Sequence, residues 1–206
     1  VADTQTAIIT DNNDPAGLGR VQVKFAWQEE NTPWIRMTNP HAGSGKGMYF
    51  IPEIGEEVLV AFEAGNAEKP FVLGTMYNGN ESSSYATSGN DNKVIQSRSG
   101  TKIIMNDAEG SVFIEDPSGN TILMDGKGNI NINAPKNMTI NVGENLDISV
   151  GNNMTTSIQN NNDTSVGANN SLSVTDLHRL SAKTYNQTVD ENKTVIFLFY
   201  ITTDIE

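Results

Sequence analysis

The chain has 206 residues, with 13 basic and 25 acidic side chains, a net charge of −12 and no cysteine. This composition excludes disulfides and thiolate metal sites, and both halves are acidic, so neither attracts nucleic acid or an anionic membrane over long range. No apolar run reaches the ~20 residues that a membrane-spanning helix needs.

Five strand-like runs precede residue 80, at residues 5–10, 20–28, 34–39, 57–63 and 71–77. The second run alternates apolar with other residues, as a half-buried strand does. Turn-forming residues occupy the connections at 14–17 and 63–66. Five short strands without a helical period predict a small closed or partly open barrel, such as an OB-fold, in residues 1–79.

A barrel of this kind often binds single-stranded nucleic acid through a basic groove lined with stacked aromatic rings. Residues 1–80 carry 5 basic and 10 acidic residues, a net charge of −5. Trp27, Trp34, Tyr49 and Phe50 are not interleaved with Lys or Arg, so we expect no nucleic-acid partner. These rings are expected in the core or in subunit contacts. The Gly-rich segment 43–47 lacks the spacing of a phosphate loop and is expected to be a flexible surface loop.

A connector and a region of nine-residue spacing follow the barrel. Residues 80–98 are rich in Ser and Asn and predict a connector. In residues 99–136 an Asp-x-x-Gly pattern recurs every nine residues, beginning at Asp107, Asp116 and Asp125, and each copy predicts a turn. These aspartates are expected to be structural, because the glycine-rich calcium-binding pattern is absent. The apolar residues between the turns are predicted to share one strand face: Ile103, Met105, Val112, Ile114, Ile122 and Met124.

An eight-residue period then runs through residues 137–195, where we predict a shaft. The sixth position of the octad is aliphatic in succession at Val142, Val150, Ile158, Val166 and Val174, followed by Ala182. Positions two, four and six lie on one side of an extended strand, and the following Gly or Asn suits a turn. Each octad is therefore predicted to be one short strand plus one turn.

An octad is too short to enclose a core of its own. Fully extended it spans roughly 26 Å, at about 3.3 Å per residue, whereas a single-chain solenoid normally repeats every ~18 residues or more. The simplest solution is that several identical chains share one core, and we favour three, although the period alone does not determine the number. Disordered low-complexity sequence is the alternative, but disorder does not explain the constant phase of the aliphatic residues.

No arrangement of residues in the sequence indicates catalysis. The two histidines, His41 and His178, lie far apart in sequence, and no nucleophile motif or metal-binding His pair occurs. Carboxylates are scattered through predicted turns. We therefore predict no catalytic, cofactor-binding or metal site, although three copies of His178 near a threefold axis could hold an ion. Residues 196–206 are an apolar tail of unclear role, either a cap on the shaft or a stretch foreign to the natural sequence.

Four segments carry a resemblance to a known family: DPAGLGRVQVKF from Asp14, PWIRM from Pro33, GMYFIPEIGEEVLVAFE from Gly47 and KPFVLGTMYN from Lys69. Together they resemble the gpV-type OB domain of VgrG proteins of type VI secretion and of contractile phage tail spikes. The octads resemble the needle that follows that domain. The resemblance extends to about residue 195 and implies an all-β fold, an OB-fold-like barrel followed by an intertwined trimeric β-helix, or β-prism.

The resemblance also implies a function and partners. It implies a non-enzymatic homotrimeric spike, assembled in the bacterial cytoplasm and ejected into a target cell or the medium, which pierces a membrane that it contacts only transiently. Tube and hub proteins are implied at the N-terminal end, and a PAAR-like tip protein or effector at the C-terminal end. The family's hub domain and the lysozyme-like insert of some phage spikes are missing here.

Two other classes of protein stay open as alternatives. A β-helical carbohydrate-binding or lyase-type protein would need long monomeric coils, which the octad period disfavours. A trimeric surface adhesin would need a signal peptide, and the first residues lack its basic and apolar segments. The missing initial Met is what a fragment of a longer protein would show.

Overall fold

The computed structural model describes residues 1–190 and is all-β; the predicted tail, 196–206, and the last residues of the predicted shaft lie outside the described residues. Residues 1–141 form one compact unit, and a second unit begins at Val142. A single 3₁₀ turn occurs at Glu63–Gly65. Within the described residues, no helix is long and apolar enough to cross a membrane.

The described residues form eleven strands, all in the first unit: β1 (Gln5–Asp11), β2 (Gln22–Phe25), β3 (Ala42–Gly43), β4 (Lys46–Gly47), β5 (Glu57–Phe62), β6 (Pro70–Thr75), β7 (Asn92–Gln96), β8 (Lys102–Asn106), β9 (Ser111–Glu115), β10 (Thr121–Met124) and β11 (Ile130–Asn133).

The first sheet has the antiparallel order β2-β1-β5-β6 and closes into a barrel. The third strand-like run predicted from the sequence, residues 34–39, closes the barrel. It forms two isolated bridges instead of a continuous strand. Ile35 bridges Val21 in the antiparallel sense, and Met37 bridges Val72 in the parallel sense. The segment passes from one edge of the sheet to the other, so neither edge offers it a long ladder. Closure leaves no free edge between β2 and β6.

Side chains from alternate positions of the strands fill the barrel. The buried core residues are mostly β-branched, and they are Ala7, Ile9, Val21, Val23, Phe25, Ile35, Val58, Val60 and Val72. Trp27, Tyr49 and Phe50 are exposed and lie outside this core, and the other expected place for these three rings, a subunit contact, stays a prediction.

Asp14 organises the loop between β1 and β2. Its carboxylate, only 3% exposed, accepts two hydrogen bonds from the Arg20 guanidinium, at 2.7 and 2.9 Å. It also accepts backbone N–H groups from Ala16, Leu18 and Arg20. The Arg20 side chain and these N–H groups hold the pKa of Asp14 well below its ordinary value. The resulting stabilisation is present above the ordinary pKa and is lost as pH falls through the lowered one.

Strands β7 to β11 form a second sheet, an antiparallel meander in chain order. Strand β7 lies inside the segment that the sequence predicts as a connector, so the irregular connection is shorter than expected. Its five residues alternate only weakly in hydrophobicity, and pairing with β8 decides their conformation. The exposed Arg98 also forms an ion pair with Glu53 of the barrel at 2.7 Å.

Two of the three predicted Asp-x-x-Gly turns have the same geometry. In the β9–β10 turn, Asp116 accepts the N–H groups of Ser118 and Asn120, and the Asn120 amide donates to its other oxygen at 2.8 Å. Asp125 and Asn129 repeat this arrangement between β10 and β11. The Asn120 amide and then the Ser118 hydroxyl lower the pKa of Asp116 from 3.8 to about 2.

The turn at Asp107 differs from the other two. There Asn106, and not the aspartate, accepts the N–H of Glu109, while Asp107 forms an ion pair with Lys93 at 2.9 Å. The fourth residue after the aspartate is Asn120 or Asn129 in the other two turns, but it is Ser111 here. No amide is therefore present at this position to hold the carboxylate.

We predict that Asn120→Ala raises the pKa of Asp116 from about 2 toward 3.8, because the variant removes the amide that stabilises the carboxylate. In the wild type the turn should contribute stability above about pH 4, a contribution lost as pH falls toward about 2. A carboxyl-detected NMR titration measures this pKa. Asn131→Ala, on a neighbouring strand, is the control and should leave the Asp116 titration unchanged; an unchanged titration in Asn120→Ala would contradict the assignment.

The second unit has a regular eight-residue repeat. The chain bends at residues 143–144, 151–152, 159–160, 167–168 and 175–176, each time just after the sixth position of an octad. Between these bends the residues are neither helix nor strand, and no backbone hydrogen bond joins two residues within 142–186. The predicted turns thus coincide with the bends, while the pairing of the intervening segments as strands stays a prediction.

Candidate functional site: the apolar face of the meander

One face of the meander carries two apolar rows that run across all five strands. The register places five isoleucines side by side in the first row, Ile95, Ile103, Ile114, Ile122 and Ile132. The second row contains Lys93, Met105, Val112, Met124 and Ile130. All six residues predicted to share a face do so. Of the ten positions only Lys93 is charged.

This apolar face, defined by the two rows, is open in the chain. Seven of its members are between 38% and 66% exposed: Ile95, Ile103, Met105, Ile122, Met124, Ile130 and Ile132. Scattered apolar residues are normal on a protein surface, but nine contiguous ones mark an interaction site. The face is therefore the best candidate for an assembly surface within the first unit.

The opposite face of the same sheet is mixed in character. Its central row is apolar from Val94 through Phe113 to Leu123, but polar rows flank it on both sides. Lys102 and Glu115 are paired across the strands and form an ion pair at 2.6 Å, which raises the pKa of Lys102. Cross-strand charges of this kind suit a solvated face. The difference between the two faces indicates that the apolar face, and not the mixed one, is the face that an assembly would cover.

The second unit also presents exposed aliphatic side chains, at intervals of eight residues. The valine and isoleucine side chains at the sixth position have nearly equal exposures, between 45% and 48%, at Val142, Val150, Ile158, Val166 and Val174. The fourth position is more exposed, for example at Ile148 and Leu172. Equal exposure at every eighth residue shows that the backbone conformation repeats. The unit therefore presents a regular series of apolar groups that nothing within residues 142–190 covers.

The histidines and the glycine-rich segment do not converge on a site. His41 is exposed beside the hairpin of β3 and β4, and His178 is exposed in the second unit. The Gly-rich segment 43–47 lies in that exposed hairpin and does not lead into a helix. A search of residues 1–190 finds no group of three or more His, Cys, Asp or Glu side chains that could hold a metal ion.

Comparison with known families identifies the barrel. Residues 5–77 match the type VI secretion system/phage-baseplate injector OB domain. The barrel is therefore similar to this OB domain. The match confirms the OB-domain part of the resemblance noted in the sequence, and its limits contain the whole closed sheet from β1 to β6.

Curated proteins similar to this region include spike proteins of type VI secretion systems. The type VI secretion system spike protein VgrG3 of Vibrio cholerae is 32% identical over 84 residues, which are 38% of this chain and 8% of that protein. VgrG1a of Pseudomonas aeruginosa is 37% identical over 73 residues, or 32% of this chain and 11% of that protein. The actin cross-linking toxin VgrG1 of Vibrio cholerae is 31% identical over 83 residues, 8% of its length. The chain thus spans about a tenth of the curated relatives it matches.

Sequence patterns alone miss two features of these surfaces. Ile95 and Ile132 complete the isoleucine row, yet neither belongs to the run of nine-residue repeats from which the face was predicted. The groove beside Trp27, described below, combines residues from distant parts of the barrel. Trp27 is the residue that could have indicated the groove, because a large ring that lies outside the core requires another explanation.

Proposed function

We propose that the chain is a structural part of a bacterial contractile injection machine, of the type VI secretion or phage-spike class, and that it acts mechanically as a homotrimer without catalysing a reaction. The injector OB domain and the VgrG relatives support the class of machine. The open apolar face and the octad series support the trimer.

The single observation that carries this proposal is the repeated exposure of aliphatic side chains within residues 142–186, where no backbone hydrogen bond joins two residues. A single chain in this conformation gains little free energy of folding, because its apolar groups and backbone amides both face solvent. Three copies wound around one axis would bury the sixth positions together and pair the backbones between chains. Burial of one such side chain is worth roughly 1.5–3 kcal/mol, and every octad would contribute three of them.

The proposed mechanism follows from this construction. In a shared β-prism, separating one layer requires disentangling three chains, so the rod would resist unfolding under an axial load. The predicted division of the chain is a barrel at 1–79, a connector at 80–98, transition strands at 99–136 and a shaft at 137–195. Tube or hub proteins would bind at the barrel end, and a tip protein or an effector at the shaft end. The assembled spike would leave the producing bacterium and touch the target membrane only during passage.

The test of the trimer is the mass of the chain in solution together with a pair of adjacent variants. Val150→Asp places a charge at a sixth position and is expected to convert the trimer to monomer, because a buried unpaired carboxylate costs several kcal/mol. Ser149→Asp changes the neighbouring side chain on the other side of the strand and should leave the trimer intact. Gel filtration with light scattering measures both.

Two outcomes would contradict the proposal. If the wild-type chain were monomeric at micromolar concentration, the copies would not share a core. Equal masses for the two variants, both trimeric, would show that the sixth positions do not face the axis.

A further inference from the structure

A groove on the barrel remains unexplained by the injection role. It has a volume of about 680 Å³ and is lined by residues from β1, β2, the closing segment and the 63–70 loop. The chain contains two tryptophans, Trp27 and Trp34, and both line this groove. Grooves of this size that combine aromatic surface with a few convergent polar groups are typical of ligand sites.

An exposed aromatic platform forms one part of the groove. The Trp27 ring is 68% exposed and stacks on Phe25, with ring centroids 5.3 Å apart. Phe25 stacks in turn on Phe62 at 6.1 Å. The indole N–H donates to Gln5 at 2.6 Å, so the orientation of the ring is fixed from the barrel side. The rigid platform thus offers a flat apolar surface to a ligand at little entropic cost.

A buried acceptor without a donor is the second, independent observation. The side-chain oxygen of Gln28 is buried and has no hydrogen-bond partner among residues 1–190. Such an atom carries a desolvation cost of about 1–3 kcal/mol until a donor reaches it. Gln28 lines the same groove as Trp27. A rotation of its side chain toward the groove would bring this oxygen to an O–H or N–H of a ligand that stacks on the indole.

The charges around the groove indicate a neutral ligand. Arg36 and Glu63 form an ion pair with each other, and the remaining charged lining residues, Glu68 and Lys69, have opposite signs. An anionic or cationic ligand would therefore find no excess of complementary charge. An added peptide strand would need a free sheet edge, and the bridges at Ile35 and Met37 occupy the edges of the barrel.

We propose that this groove binds a sugar ring of a neutral glycan. One face of a pyranose presents C–H groups that stack on Trp27, and its equatorial hydroxyls can donate to Gln28 and to the rim carboxylates. OB-folds in general can hold oligosaccharides against one strand face and its loops. The inference is independent of the proposed trimeric spike.

The tryptophans make the test direct, because the intrinsic fluorescence of the full chain reports on this groove. We expect chitotetraose or cellotetraose to change the emission saturably at millimolar concentration. Trp27→Ala should weaken binding at least about tenfold, measured by saturation-transfer NMR because the variant loses its main fluorophore. Gln28→Met keeps the length of the side chain but removes the acceptor, and it should weaken binding by about fivefold or more.

Tyr77→Ala is the matched control, since Tyr77 is also a largely exposed aromatic residue and lies outside the groove; the affinity of this variant should equal that of the wild type. Circular dichroism confirms that each variant is folded. Absence of a saturable change up to about 20 mM of either sugar, a range in which even weak binding of about −3 kcal/mol would be visible, would overturn the proposal. A response to a proline-rich peptide alone, or to dilution of the protein without sugar, would also overturn it by assigning the groove to a peptide or to a contact between copies.

Discussion

Replacing Ile122 with Asp is expected to abolish self-association while the barrel stays folded. Ile122 lies in the isoleucine row, between Ile114 and Ile132, on the open apolar face. If three copies bury this face, the variant loses three aliphatic contacts, worth roughly 5–9 kcal/mol in total, and adds three carboxylates that burial would leave without partners. Light scattering should therefore show a monomer at concentrations where the wild type associates.

Asn131→Asp is the matched control for Ile122→Asp. Asn131 lies on the adjacent strand and on the opposite face, and Asp has nearly the same shape as Asn. We expect this variant to associate as the wild type does, although it carries the same added charge. If both variants dissociated equally, net charge and not burial of the face would govern association, and the assignment of the apolar face would be wrong.

The second large effect is expected for Gly126→Ala, which should destabilise the meander by about 2–5 kcal/mol. Gly126 has a φ of +71°, a conformation that side chains with a Cβ disfavour. A Cβ at this position would also lie 2.1 Å from the carbonyl oxygen of Glu109, in the β8–β9 turn. Backbone atoms cannot swing away as a side chain can, so the two neighbouring turns must move apart. Urea unfolding at fixed protein concentration measures the loss.

Gly128→Ala separates the two causes of that loss. Gly128 belongs to the same turn and has a φ of +92°, but a Cβ there meets no described atom within 4 Å. This variant should cost about 1–2 kcal/mol from the backbone conformation alone. Equal destabilisation by the two variants would show that the close approach of the turns contributes nothing.

Local sequence patterns predicted much of the meander and of the octad repeat. Asp116 and Asp125 form the turns that their Asp-x-x-Gly spacing indicates, because a carboxylate can bond the backbone two and four residues later without any tertiary partner. The alternation of apolar residues likewise placed Ile103, Ile114 and Ile122 on one face, since successive side chains of a strand point to opposite sides. The bends after Val142, Val150 and Val166 recur with the predicted period.

Features that depend on pairing between distant residues were harder to predict from the sequence. The composition of residues 80–98 predicts a connector, whereas residues 92–96 of that segment form strand β7 because they pair with β8. The sequence predicts a strand at residues 34–39, but only the structure shows that Ile35 and Met37 close the barrel through single bridges. The groove needs Gln5, Trp27 and Phe62 to meet, although 57 positions separate the first of these from the last.

The sequence by itself determined the periods of the turns and bends, the all-β class and the likeness of the barrel to the injector OB domain, because each depends on short patterns along the chain. Only the tertiary structure decided the cross-strand register that joins five isoleucines into one row, the closure of the barrel and the opening beside Trp27. The reason is physical: a turn or an alternating strand is specified by neighbours in sequence, whereas register, closure and grooves arise from contacts whose partners lie tens of residues apart.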